Sequence, residues 1–142
     1  MPKANLMSKW LFFAFLSLFW WGVFGFLGKI GADRISPAQM QILFTGGIIP
    51  IVVMCFFRLN FKIDTNKRGV FYSILMGLFA ALGVLTFFIA MKAGAVSIVA
   101  PATSLYPVLT VILALIFLRE KLNRIQTAGL ILAMISIVIL SL

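Results

Sequence analysis

Charged side chains fall in short clusters along this sequence and leave five uninterrupted stretches between them. These run Trp10–Gly28, Ile35–Phe57, Gly69–Met91, Ala93–Leu118 and Ile125–Leu142, with lengths of 19, 23, 23, 26 and 18 residues. A bilayer core about 30 Å thick takes roughly 20 apolar residues of helix to cross. Together the five stretches occupy 109 of 142 positions, and a soluble domain of this size has no interior for five helices that are apolar all round. The pattern predicts an all-α membrane protein with five transmembrane helices, at about 10–28, 36–57, 69–91, 95–118 and 124–142. They form a single transmembrane domain over residues 1–142.

Local signals sharpen these elements. Ser36-Pro37 reads as an N-cap followed by proline at the first helical position. Asp64, Thr65 and Asn66 are candidate caps for the third helix. Met91-Lys92-Ala93-Gly94 places a cation at the negative end of that helix, then a glycine stop. Asn123-x-x-Gln126 reads as a capping box opening the fifth. Gly22, Gly25, Gly28 and Gly31 recur every three residues beside the Trp20-Trp21 pair. Such a stripe either admits a neighbouring helix closely or lines a cavity with the tryptophans. Gly77 with Ala81, and Gly129 with Ala133, form further small-xxx-small pairs. In the second helix Gln39, Gln41 and Thr45 occupy the outer half, and Gly46, Gly47 and Pro50 ease bending.

The fourth helix is the most polar. Ser97, Pro101, Thr103, Ser104, Tyr106, Pro107 and Thr110 crowd its outer two-thirds. Lipid supplies no hydrogen bonds to hydroxyls, or to carbonyls that proline leaves open. Back-bonding to the preceding turn accounts for Ser and Thr, but two prolines and Tyr106 point to a face on protein or water.

Composition agrees: 63% of residues are hydrophobic and 11% charged, which excludes soluble and disordered classes. A net charge of +9 does not imply nucleic acid once the cations are placed. Lys3, Lys9, Arg58, Lys62, Lys67, Arg68, Arg119, Lys121 and Arg124 fall on one side of alternating spans, and Lys29, Arg34 and Lys92 on the other. The positive-inside rule then predicts a cytoplasmic N-terminus and an outside C-terminus, with basic loops against anionic lipid. Lys3 and Lys9 precede an apolar stretch too long for a signal-peptide core, with no small-x-small cleavage site, so the first helix is expected to be retained. Compact loops without a transit peptide suit a multi-pass protein of a bacterial inner membrane.

The chemistry that is missing narrows the function. No ionisable residue lies near the centre of any span, which argues against a proton relay. There is one cysteine, Cys55, and no histidine, so neither a catalytic pair nor a metal set assembles, and no enzyme, cofactor or metal is expected. Glu120 is read as an ion-pair partner of Arg119, Lys121 or Arg124. Lys29 and Lys92 either neutralise helix C-termini, snorkel to the interface, or ring an outward mouth.

The run from Ala93 to Pro101, then Leu105-Tyr106-Pro107, then Leu118 through Glu120 and Gln126 to Gly129, resembles the closing part of an EamA domain of the drug/metabolite transporter superfamily. Trp21-Gly22 with Lys29 beyond is similar to the opening of that domain. The resemblance implies half of an inverted-repeat transporter fold, because such proteins usually carry two five-helix domains in opposite orientation. They move amino acids, sugars, nucleotide sugars or drugs by alternating access. An odd number of spans does leave a fused second copy inverted. One domain alone encloses no path, so a homodimer or a related five-helix partner chain is expected. An antiparallel homodimer needs both orientations, whereas nine cations against three favour one. The expected function is transport of a small solute, with Trp20, Trp21, Thr103, Ser104, Tyr106 and Pro107 lining the path and Lys29 and Lys92 at its outer mouth. The alternatives are a non-transporting assembly partner or one subunit of a lipid-headgroup flippase, similar to the paired small subunits that move aminoarabinose-linked lipid.

Overall fold

Each apolar stretch becomes helix. The computed structural model of the chain describes residues 4–62, 64–119 and 121–141, the side chains of residues 4–8, 137, 140 and 141 excepted. Glu120, and with it the expected ion pair, lies outside the described residues. So do Lys3 and Leu142. The described helices are α1 (Ala4–Ala32), α2 (Pro37–Arg58), α3 (Lys67–Ala93), α4 (Val96–Thr103), α5 (Tyr106–Leu113), a π-helical turn (Ala114–Leu118) and α6 (Arg124–Ser141). Four segments are long and apolar enough to cross a membrane: Lys9–Ala32, Pro37–Arg58, Lys67–Ala93 and Val96–Leu118. The helix at Arg124–Ser136 is apolar but shorter. The chain divides into two compact units, one through Ala93 and one from Gly94 onward.

In the first unit α3 packs along both α1 and α2. Its interior is small and aromatic. Phe24 stacks on Phe87 with centroids 5.7 Å apart and meets Phe44 at 5.5 Å and Phe88 at 6.0 Å. Phe44 approaches Phe88 edge-on at 6.0 Å. Ala32, Met40, Phe88 and Met91 are the buried apolar side chains among the described residues. Large apolar residues such as Trp20, Phe26, Phe79 and Ile116 are more than half exposed, as expected where the surroundings are hydrocarbon rather than water.

Glycine spacing separates into two uses. A Cβ on Gly28 would meet Phe87 and Phe88 at 3.8 and 3.9 Å, and one on Gly31 would press Met40 Cε at 3.1 Å. These two admit α3 and α2. Gly22, Gly46, Gly47, Gly77, Gly83 and Gly129 have nothing within 4 Å, so the expected pairs at Gly77 and Gly129 are not consumed by packing among the described residues.

The caps follow the sequence closely. Ser36 Oγ accepts from Gln39 N at 3.3 Å while Gln39 Oε1 accepts from Ser36 N at 3.1 Å, a complete capping box. Asn66 Oδ1 caps α3, accepting from Arg68 N at 3.1 Å and Gly69 N at 3.2 Å. At α6, Asn123 N donates to Gln126 Oε1 at 2.8 Å, one half of the expected box. Among the described residues no glycine has a positive φ, so Gly94 does not end α3 as a left-handed stop. The Met91 carbonyl in the last turn of α3 accepts from a lysine side chain, as set out below. The left-handed residues are Asn60 (φ 48°), Phe61 (φ 57°) and Arg119 (φ 53°). Phe61 N donates to Phe56 O at 3.1 Å and its ring stacks on Phe56, centroids 6.2 Å apart.

The second unit carries the main departure from regular helix. The fourth span is interrupted at Ser104-Leu105 and resumes as α5, and α6 packs on α4. After α5 the backbone widens into the π turn, closed by Arg119 N donating to Ala114 O.

Candidate functional site

The residues that the sequence singles out fall into two groups, one in each unit. In the first unit, Lys29 ends α1 and donates from Nζ to the Met91 carbonyl of α3 at 3.1 Å. It also pairs with Asp33 at 2.9 Å. Lys92, one residue beyond Met91, donates from Nζ to the Ile35 carbonyl in the α1–α2 connector at 3.1 Å. The last carbonyls of a helix have no partner within it and carry the negative end of the dipole. Each lysine therefore satisfies a backbone group on a different element, and the pair ties the ends of α1 and α3 to the turn between α1 and α2. The acceptors, Ile35 O and Met91 O, are backbone atoms and leave no mark in the sequence.

Beside this end lies a shallow open depression of about 240 Å³. Phe24, Gly28, Ile35, Met40, Phe44 and Phe88 help to line it. Trp20 and Trp21 stay 61% and 58% exposed. Trp21 meets Phe24 edge-on at 5.4 Å, and Trp20 meets Phe19 at 5.4 Å. Gln41 Oε1 is buried and meets no donor among the described residues. Thr45 Oγ1 bonds back to Gln41 O at 2.8 Å.

In the second unit the polar residues converge on the interruption. Thr103 Oγ1 donates to Val99 O at 2.9 Å or Ala100 O at 3.0 Å, and Ser104 Oγ donates to Ala100 O at 2.7 Å. Thr110 Oγ1 reaches Tyr106 O at 3.2 Å. The hydroxyl hydrogens are thus turned inward, onto carbonyls of the preceding turn. Ser104 N is shared between Ala100 O and Pro101 O, both at 3.1 Å. Pro107 opens the first turn of α5, where its missing N–H costs least within its own helix. Tyr106, the first residue of α5, is 66% exposed.

Four membrane-length helices among the described residues do not by themselves select a protein family, so the sequence match decides. The EamA-like transporter family matches residues 8–142. The chain belongs to the EamA-like transporter family. It is thus a multi-pass membrane protein of a transporter family. The chain is also 31% identical over 123 residues to an uncharacterized protein of Methanocaldococcus jannaschii, covering 85% of this chain and 88% of the relative. The two are of similar length. No solved structure matches. In this EamA-like chain the fourth span, which carries the Tyr106-Pro107 motif, is also the one whose helix is broken.

Proposed function

We propose that the chain is one subunit of a transporter that moves a small solute by alternating access, its path completed by a second copy or by a related five-helix chain. The observation that carries this reading is the interruption at Ser104-Leu105, ten residues into a span that holds no charged side chain. Backbone that leaves the helix at membrane depth is tolerated only where it meets protein or a water-filled cavity. Helices broken near mid-membrane are a recurrent way to present a solute site in transporters built from inverted repeats. Thr103, Ser104, Tyr106 and Pro107 then line the path. In this reading Trp20 and Trp21 offer apolar faces, and Lys29 and Lys92 stand at the outer mouth.

The inward-turned hydroxyls favour the second reading, a non-transporting partner whose helices only pack. Cysteines placed singly at 103, 104 and 106 in a Cys55→Ser protein separate the two. Labelling by a membrane-impermeant thiol reagent supports a cavity, whereas three unlabelled positions in a folded protein support packing. The sequence also allows a lipid-headgroup flippase subunit, which the same labelling followed by competition with lipid headgroups would reveal.

A further inference from the structure

Resting on the transporter reading, we propose that the interruption of the fourth span binds a small neutral or cationic solute bearing two or more N–H or O–H donors. Carboxylates and phosphates would be excluded. The argument begins from the backbone hydrogen bonds around the break. Leu105 N donates to Ala102 O at 3.4 Å, and Val108 N donates to Leu105 O at 2.9 Å. No donor among the described residues reaches the carbonyl oxygens of Thr103 and Ser104. Pro107 stands four residues after Thr103 and its nitrogen carries no hydrogen for that carbonyl, while Val108 N, the helical partner of the Ser104 carbonyl, turns to Leu105 O instead. Two carbonyls are therefore open side by side within an apolar span.

The side chains add acceptors rather than donors. Thr103 and Ser104 spend their hydroxyl hydrogens on Val99 and Ala100 carbonyls, so their oxygens keep only lone pairs for a ligand. On the donor side stand the N–H of Tyr106, which meets no backbone acceptor among the described residues, and its phenol. No cationic side chain occurs in Val96–Leu118 to hold an anion there. Acceptors thus outnumber donors, and a ligand with clustered donors satisfies both sides. Primary amines and polyols share this chemistry.

Purified Cys55→Ser, Ser104→Cys protein in phosphatidylcholine liposomes is labelled with a water-soluble thiosulfonate in the presence of methylammonium, erythritol, tetramethylammonium, acetate or sodium. The proposal expects methylammonium or erythritol to slow labelling severalfold, while tetramethylammonium, which has no donor, and acetate do not. Pro107→Ala, added to the same protein, supplies an N–H within reach of the Thr103 carbonyl. It should abolish that protection while labelling persists. Protection by acetate, protection by sodium alone, or protection unchanged by Pro107→Ala overturns the proposal. Labelling with no protection removes the solute class but leaves the transporter reading standing. No labelling at all in a folded protein removes the cavity, and both readings with it.

Discussion

Lys29 Nζ lies 3.1 Å from the carbonyl oxygen of Met91, and the neighbouring Lys92 Nζ lies 3.1 Å from the carbonyl of Ile35. Both lysines, which the sequence allowed either to neutralise helix C-termini, to snorkel or to ring an outward mouth, are engaged on backbone. Lys29→Met should therefore lower the unfolding free energy by about 1–2 kcal/mol, the value of a charge-assisted bond at a helix end. The check is thermal unfolding in detergent. Unchanged unfolding with impaired solute flux would instead assign Lys29 to the path. Asp33→Asn should have less effect, about 0.5 kcal/mol at most, because Asp33 is exposed and pairs only as an i,i+4 neighbour.

The glycine stripe predicts a contrast between adjacent members. Gly28→Ala introduces ordinary contacts at 3.8 and 3.9 Å, and replacing a helical glycine gains up to about 1 kcal/mol of backbone entropy. Gly31→Val pushes a larger group against Met40, already 3.1 Å from a Cβ, and overpacking of this kind costs about 1–3 kcal/mol. Opposite shifts in melting temperature are expected. Equal shifts would show that the first unit does not pack as described.

Arg119 adopts a left-handed conformation, φ 53°, where a side chain costs about 1–2 kcal/mol. Arg119→Gly should raise stability by about 1 kcal/mol. It should also weaken the charge asymmetry from which the orientation is predicted. Urea titration of the purified protein reads the first effect. A loss of stability would mean that the arginine side chain contributes more than the strain it imposes.

Nine cations against three predict one orientation, with the C-terminus outside. Paired reporters fused after residue 142, one active only outside and one only in the cytoplasm, should report outside alone. Activity from both would mean dual insertion and would allow an antiparallel homodimer from this one chain.

Helix existence was legible because charge clusters delimit the apolar stretches, and Ser36 and Asn66 cap helices where the sequence places them, while the share of Gln39 in the Ser36 capping box emerged only in the structure. The break at Ser104-Leu105 was only half legible. Pro101 and Pro107 announced open carbonyls, but hydropathy alone drew one unbroken span over 95–118. Periodicity carries no signal for a π turn or for an arginine in left-handed conformation. The lysine bonds were hidden for a different reason. Their partners are main-chain oxygens at Ile35 and Met91, brought near by packing rather than by residue type. The same holds for Gln41, whose buried oxygen no spacing rule marks.

The interruption also has a mechanical side. In an intact helix, sharp bending at one point must break or stretch backbone hydrogen bonds. At Ser104-Leu105 two of the bonds that would resist are already absent, those to the carbonyls of Thr103, for which Pro107 has no hydrogen, and of Ser104, whose helical partner Val108 N bonds Leu105 O. The ends of α1 and α3, by contrast, are bolted to the connector by two ammonium groups. Within the fourth span, compliance is therefore concentrated at that joint, where a bend breaks fewer backbone hydrogen bonds than elsewhere along the span.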